Sequence, residues 1–172
     1  MASETYLIGD KVVHPKLGAG IVEDIVLRAD TVGDGKYYVF RMPVGSMTVS
    51  IPVESAEVIG VRRVVDAATA DSLLKQLASL DFEREHNWTK RFKENLERLK
   101  SGDPDAVVAV VRSLSERENV KGLSMGERKM FHNAMQMLVS EISLAKDLPY
   151  EETEALVHTA LGKTPKGKPA TT

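Results

Sequence analysis

The only tryptophan of the chain stands beside a run of cations in the segment EHNWTKRFKENLERLK. Trp88 is followed by Lys90, Arg91 and Lys93, in what the sequence predicts to be the first turns of a helix. The N-terminus of a helix favours negative charge, so cations there oppose helix formation. Backbone N–H groups at the same end could donate hydrogen bonds to a phosphate. A local conflict of this kind is typical of a functional site, and the chemistry it suggests is phosphate binding next to an aromatic ring.

The pattern leaves the environment of Trp88 open. The indole lies four residues before Phe92 and eight before Leu96, so it could extend the same buried stripe of the helix. Its polar neighbours Asn87 and Thr89 favour partial exposure instead. The sequence therefore allows either a core tryptophan with basic neighbours or an exposed aromatic wedge beside phosphate-binding charges.

The basic segment contrasts with the rest of the chain. Residues 84–100 contain six basic and three acidic residues, whereas the 172 residues together carry a net charge of −2 with a pI near 6.1. A protein that binds nucleic acid unaided usually has a strong basic excess. Any nucleic-acid contact must therefore come from a local patch or be assisted by a protein partner.

The sequence offers little support for catalysis, metal binding or membrane insertion. There is no cysteine, which excludes disulfides, thiolate metal sites and a cysteine nucleophile, and the four histidines are scattered and interpreted as surface residues. No phosphate-binding glycine loop or nucleophile elbow occurs. We expect no enzymatic activity and no cofactor. Apolar runs fall short of the ~20 residues of a membrane span, and the start MASETYLIGD lacks signal-peptide features, so we expect a cytoplasmic protein without membrane contact. We also expect a monomer.

The elements that must carry these residues divide the chain into two parts, an α+β organisation. Residues 1–64 predict five short strands separated by tight turns, typical of a small SH3-like or Tudor-like antiparallel β-barrel. The segment SMTVSIPV alternates most clearly and predicts a half-buried strand, and AEVIGVR is interpreted as the last strand. The two faces expected for SMTVSIPV are Met47, Val49, Ile51 and Val53 on one side and Ser46, Thr48 and Ser50 on the other.

Residues 65–162 predict an all-α domain of about five helices, and residues 163–172 a disordered tail. Capping residues mark the helix starts. These are Asp66 or Thr69, Asn87, Asp103 before Pro104, Ser124 with Glu127 as a capping box, and Pro149. The expected inward face of the second helix is Phe92, Leu96 and Leu99, and the methionines of the fourth helix are interpreted as core residues.

Four segments together resemble the CarD/CdnL family of bacterial transcription regulators: YLIGDKVVHPKLGAGIVEDI, MTVSIPVESAEVIGVR, NWTKRFKENLERLKSGD and GLSMGERKM. The resemblance covers residues 6–160. The first segment alone is also similar to the polymerase-interacting domain of transcription-repair coupling factors. The tryptophan followed by basic residues on a helix makes the resemblance specific to CarD/CdnL.

The resemblance implies that the helical domain contacts promoter DNA at the upstream edge of the transcription bubble. In the family a tryptophan wedges into the minor groove while basic residues hold phosphates, with little sequence specificity. The matching positions in this sequence are Trp88, Lys90, Arg91 and Lys93, with a further basic pair at Arg128 and Lys129.

The resemblance also implies that the N-terminal barrel binds the β subunit of RNA polymerase. Arg28 matches a polymerase-contacting arginine, whereas Ser50 stands where some relatives carry a second arginine. The strand that includes Met47, Thr48 and Val49 could still pair with the partner through its backbone edge. The expected function is stabilisation of the open promoter complex, and the alternative is a polymerase adaptor that makes no DNA contact.

Overall fold

A computed structural model describes residues 6–29, 35–43, 47–79 and 87–162. An antiparallel five-stranded sheet is followed by a helical domain, which confirms the predicted α+β organisation. The strands are β1 (Lys11–His14), β2 (Gly18–Leu27), β3 (Lys36–Arg41), β4 (Thr48–Pro52) and β5 (Arg62–Arg63). They are arranged in the order β4-β3-β2-β1-β5, so β4 and β5 form the two edges.

The sheet covers its own apolar core. Tyr38 and Phe40 alternate inward from β3 and are almost fully buried, together with Val22 of β2. The predicted alternation of the SMTVSIPV segment holds for Ile51, which is buried in the same core. Met47 differs from the expectation, since it precedes β4 and its side chain is 49% exposed.

The segment AEVIGVR was expected to be a strand, and this is wrong for most of its length. After a 3-10 turn at Val53–Ser55 the chain forms one helical turn, α1 (Ala56–Ile59), and only Arg62–Arg63 pair with β1. Gly60 adopts a φ of 100° and donates to the carbonyls of Ala56 and Glu57, which closes the turn. A glycine tolerates this left-handed conformation, so the helical turn competes successfully with an extended strand.

Five further helices follow, with starts close to those predicted: α2 (Ala67–Ser79), α3 (Trp88–Ser101), α4 (Pro104–Val120), α5 (Met125–Lys146) and α6 (Tyr150–Ala160). The Asn87 side chain accepts from the backbone of Lys90 at 3.0 Å, and the capping box of Ser124 and Glu127 is complete. The predicted tail, 163–172, lies outside the described residues. Across the described ranges, no helix is long and apolar enough to cross a membrane.

Helix α5 is the common packing element of both parts. Its methionines Met130 and Met137 are buried in the helical core, as predicted, together with Leu138 and Ile142. Met125 differs from the prediction, since it lies at the start of the helix and is 89% exposed. The opposite side of α5 packs against β1 and β2, which explains why polar residues such as Ser140 are also buried.

The contact between the sheet and α5 is close and polar. The backbone N–H of Ala19 donates to the Ser140 hydroxyl at 2.9 Å. Gly18, with a φ of 93°, is required here, because a Cβ at this position would lie 2.7 Å from the same hydroxyl. Lys11 adds a hydrogen bond from Nζ to the carbonyl of Leu144 at 2.7 Å. The two parts therefore form a directly packed unit.

His14 departs from the prediction that the histidines lie at the surface. It is 8% exposed, and its Nδ1 accepts from the backbone N–H of Lys16 at 3.1 Å. Burial, with a smaller effect of the Lys16 charge, lowers the pKa of His14. The residue is therefore a neutral hydrogen-bond acceptor at neutral pH. His86 lies outside the described residues.

Candidate nucleic-acid interface

Trp88 is the first residue of α3 and its side chain is 45% exposed. One face of the indole stacks on Phe92, with ring centroids 5.2 Å apart and the planes 19° from parallel. The indole Nε1 donates to Oε1 of Glu127 at 3.2 Å. The ring is thus neither a buried core residue nor a freely rotating side chain, because it is held on one side and open on the other.

The N-terminal ends of α3 and α5 meet beneath this ring. A Cβ at Gly126 would lie 3.3 Å from Cε2 of Phe92, so the absence of a side chain at Gly126 lets the phenyl ring approach α5 closely. The phenyl ring in turn supports the indole of Trp88. The placement of the indole therefore depends on how the two helix starts are packed together.

Glu127 is the polar centre of the site and is 1% exposed. Its Oε1 accepts from the Ser124 hydroxyl at 3.1 Å as well as from the indole, and its Oε2 accepts from Nε and Nη2 of Arg91 at 3.3 and 3.2 Å. Arg117 Nε lies 3.5 Å from Oε2 without hydrogen-bond geometry, so its contribution is that of a nearby charge.

These contacts keep the buried carboxylate charged. Burial by itself raises the pKa of Glu127. The hydrogen bonds from Ser124 and the charges of Arg91 and Arg117 outweigh burial, and the net pKa is lowered. At neutral pH the indole N–H therefore donates to an ionised carboxylate, which is a stronger interaction than a bond between two neutral groups.

Five of the six residues predicted to contact DNA, all except Arg91, are exposed at the starts of α3 and α5. Lys90 and Lys93 are exposed on α3, and Arg128 and Lys129 are exposed in the first turn of α5. Together with Trp88, they form the surface called here the wedge face.

Arg91 does not belong to the wedge face. Its side chain is 5% exposed and is engaged with Glu127, so its predicted role as a phosphate contact does not fit its position. The inward side of α3 also includes Asn95, which is 1% exposed, whereas Leu96, expected to face inward, is 38% exposed. Residues 91 and 95 are one turn apart, so the helix is rotated to bury a polar pair that an apolar-stripe argument cannot anticipate.

The residues predicted to bind polymerase gather near the β4 edge. Arg28 Nη2 donates to the Ser50 hydroxyl at 3.0 Å, and its guanidinium lies 4.7 Å from the centre of the Tyr37 ring. Thr48 and Met47 are exposed. In the part of the chain that the structure describes, β4 pairs with β3 on one side and with no strand on the other.

Sequence reasoning missed the role of Glu127, although it identified this residue in the capping box. A capping residue is expected to bond to backbone N–H groups of its own helix. Nothing in the local pattern indicates that the same carboxylate also receives Trp88 and Arg91 from another helix. Within residues 6–29, 35–43, 47–79 and 87–162, no group of acidic and histidine side chains could hold a metal ion.

Family comparisons agree with this division into sheet and helical parts. The profile described as "CarD-like/TRCF RID domain" matches residues 6–65, and the one described as "CarD, C-terminal domain" matches residues 72–158. The chain belongs to the CarD family. A relative from Bacillus subtilis (strain 168), YdeB, named as a candidate transcription factor, is 31% identical over 150 residues, which cover 87% of this chain and 98% of the relative. Membership of the CarD family supports a transcription regulator that interacts with RNA polymerase.

Proposed function

We propose that this CarD-family protein docks on the β subunit of RNA polymerase and stabilises the open promoter complex by contacting DNA at the upstream edge of the bubble. The observation that carries the proposal is the indole of Trp88, half-exposed and fixed by Glu127 and Phe92 beside exposed lysines. A rigid aromatic ring next to cations has the chemistry of a minor-groove wedge with phosphate contacts.

Differential binding gives the wedge face its effect. Inserting a ring between intact base pairs costs about a few kcal/mol of unstacking. At the edge of a bubble the stacking is already disturbed, so Trp88 binds the open complex better than the closed one. Only such a difference in affinity shifts the equilibrium between the two states. Minor-groove and phosphate contacts carry little sequence information, so we expect action at many promoters.

Docking is proposed to occur through β4. An edge strand presents unpaired backbone groups, and a strand of the polymerase subunit can extend the sheet along it. Arg28 and Ser50 lie at this edge, where the Arg28 guanidinium is bonded to the Ser50 hydroxyl. The proposal includes a monomeric, cytoplasmic protein that reaches the nucleoid through polymerase and needs no cofactor.

Two variants separate the proposed DNA contact from the proposed docking on polymerase. Trp88→Ala is expected to shorten the lifetime of open complexes while leaving affinity for polymerase unchanged. Arg28→Ala is expected to weaken polymerase binding, whereas Arg63→Ala, at the β5 edge of the same sheet, serves as the matched control with unchanged binding. Polymerase affinity is measured by biolayer interferometry, and lifetime by competitor challenge of preformed open complexes.

The outcomes discriminate between the functions considered. An unchanged open-complex lifetime with Trp88→Ala, at saturating protein, would remove DNA contact from the mechanism and leave a polymerase adaptor. Equal losses with Arg28→Ala and Arg63→Ala would show that the β4 edge has no special part in docking. Circular dichroism of each variant verifies that the fold is retained.

A further inference from the structure

Arg62 connects the sheet with two different helices. Its Nη1 and Nη2 donate to both carboxylate oxygens of Glu141 on α5, at 2.7 and 2.8 Å, and its Nε donates to the carbonyl of Gly102 at 3.1 Å. The Glu141 side chain is 4% exposed and also accepts from the backbone N–H of Val65 at 3.0 Å. One guanidinium thus joins β5, the connection after it, the middle of α5 and the end of α3.

The Gly102 carbonyl is significant because Gly102 ends the helix that begins at Trp88. Gly102 adopts a φ of 71° and its N–H donates to the carbonyl of Leu99, which closes α3. The helix has 14 residues and therefore spans about 21 Å. Trp88 and the Arg62 contact lie at opposite ends of α3. The Trp88 end is tied to α5 through Glu127, so α3 and α5 move together relative to the sheet.

We propose that Arg62, paired with Glu141, is a positioning residue that fixes the direction of α3 relative to the sheet. It thereby sets where Trp88 stands with respect to the β4 edge. The inference rests on the proposed function, because it concerns how the docking edge and the wedge face act together. Arginine suits this role since its planar fork makes two parallel bonds to a carboxylate and retains a third donor for the Gly102 carbonyl.

The length of α3 makes the direction important. A tilt of α3 and α5 together by about 10° at the Arg62 junction would displace Trp88 by about 3.7 Å over the length of α3. Successive base pairs of a DNA duplex are about 3.4 Å apart along the helix axis. An error of this size moves the indole by one full base step, so the junction must hold α3 to within a few degrees for docking and wedging to occur together.

The junction is tested with Arg62→Lys, which keeps the charge but loses the fork. Arg63→Lys is the matched control, since Arg63 pairs with Asp10 of the sheet part rather than with a helix. Glu141→Gln is the second variant, and it preserves an acceptor for the N–H of Val65. The chain has no cysteine, so Val58→Cys on α1 and Glu97→Cys on α3, both at strongly exposed positions, accept spin labels for distance measurement by pulsed electron paramagnetic resonance.

We expect Arg62→Lys and Glu141→Gln to broaden the distance distribution between the labels and to shorten open-complex lifetime roughly three- to tenfold, the order expected when a rigid link becomes flexible. Polymerase affinity and the fluorescence of Trp88 should remain at wild-type values, because the docking edge and the wedge face are intact. Arg63→Lys should change none of these quantities.

Two results would overturn the inference. An unchanged distance distribution would mean that Arg62 does not fix α3, and a broadened distribution with wild-type lifetime would mean that direction is unimportant. If the wild-type protein itself fails to prolong open complexes, the proposed function is wrong, while the distance measurement still decides whether Arg62 orients the helix. Thermal melting of each variant separates loosening of the junction from loss of the fold.

Discussion

Glu127 is the residue on which the orientation of Trp88 depends. A buried carboxylate that receives an indole N–H, a hydroxyl and a guanidinium joins the starts of α3 and α5 at one point. Removing one member of a buried ion pair costs about 3–5 kcal/mol, since the other charge is left without compensation. Simple truncation of Glu127 would therefore confuse loss of orientation with loss of stability.

A paired substitution avoids this difficulty. Replacing both members of a buried ion pair by apolar residues of similar volume is often neutral for stability. We expect the double variant Arg91→Met with Glu127→Met to remain folded but to lower the fluorescence anisotropy of Trp88, the only tryptophan, because the indole loses its acceptor. The open-complex lifetime should fall with it.

The control for this prediction is a double-mutant cycle with Trp88→Phe, which keeps a ring and lacks the N–H group. If Glu127 acts through the indole, the paired methionine substitution should have little further effect on lifetime in the Trp88→Phe background. Additive losses in the two backgrounds would contradict a positioning role.

The charge of Glu127 also predicts how stability depends on pH. Although burial raises its pKa, the bonds from Ser124 and the nearby arginine charges lower it overall, below the value in the unfolded chain. Its contribution to stability is therefore fully present above the unfolded pKa of about 4.5 and is lost as pH falls through the folded pKa. We expect the difference in unfolding free energy between wild type and Glu127→Gln, from urea titrations at pH 3 to 7, to shrink on acidification. A constant difference across this range would contradict the assignment.

At the scale of elements, α3 has two faces with opposite roles although its cations are adjacent in sequence. Lys93 is exposed on the wedge face, whereas Arg91 is buried against Glu127. Lys93→Ala should leave the unfolding free energy unchanged and reduce the salt slope of DNA contact by about 0.9, as expected for one lost phosphate contact. Because the slope falls, its effect on affinity should be larger at low salt than at high salt.

Arg91→Ala is the matched comparison on the same helix. It should lower the unfolding free energy by about 3 kcal/mol, because Glu127 loses its main cationic partner. The salt slope should be unchanged at temperatures where the variant is folded. A lowered salt slope with wild-type stability would return Arg91 to the phosphate contacts predicted from the sequence.

The starts of the helices were predictable because their signals are local. Asn87, Asp103 and the Ser124–Glu127 pair each satisfy backbone N–H groups within three residues, so no tertiary information is needed to find them. The AEVIGVR segment was not predictable in the same way. Its β-branched residues Val58, Ile59 and Val61 fit a strand, whereas the left-handed Gly60 closes a helical turn instead.

The two faces of α3 could not be predicted from periodicity. An apolar-stripe argument assigns Leu96 inward and the polar residues outward, but Arg91 and Asn95 are buried and Leu96 is partly exposed. The rotation of α3 about its axis is set by Glu127 on α5. Leaving this buried carboxylate without a cation would cost more free energy than exposing one leucine. Long-range partners of this kind are invisible in a single sequence.

At the scale of the whole molecule, α5 determines how the two parts are arranged. Its apolar side completes the helical core, while Ser140 and Glu141 on the other side bond to the sheet and to Arg62. The sequence predicted the buried methionines of α5 but not the second packing face, because serine and glutamate usually lie at a surface. The type of secondary structure in each part could be predicted from the sequence, whereas the contacts between the two parts could be identified only in the structure.

If the wedge face contacts DNA as proposed, the charge of the whole chain predicts how this contact is achieved. With a net charge of −2, the isolated protein has no overall electrostatic attraction to DNA, and we expect a Kd for duplex promoter DNA weaker than about 10 μM at physiological salt. In the proposed function, docking on polymerase raises the local concentration of the wedge face at the promoter, so a few contacts suffice. Fluorescence anisotropy of labelled duplex measures the Kd of the isolated protein. Cross-linking of Trp88 to DNA in the polymerase complex measures DNA contact by the docked protein.

Arg28→Ala provides the decisive comparison for this tethered binding. All residues of the wedge face are intact in this variant, so an autonomous DNA-binding protein would cross-link to the promoter as well as wild type does. If binding depends on the tether, cross-linking at limiting protein concentration should fall in proportion to the loss of polymerase affinity and recover when the protein concentration is raised. Tight binding of the isolated wild type to duplex DNA, or cross-linking unaffected by Arg28→Ala, would contradict the dependence on polymerase.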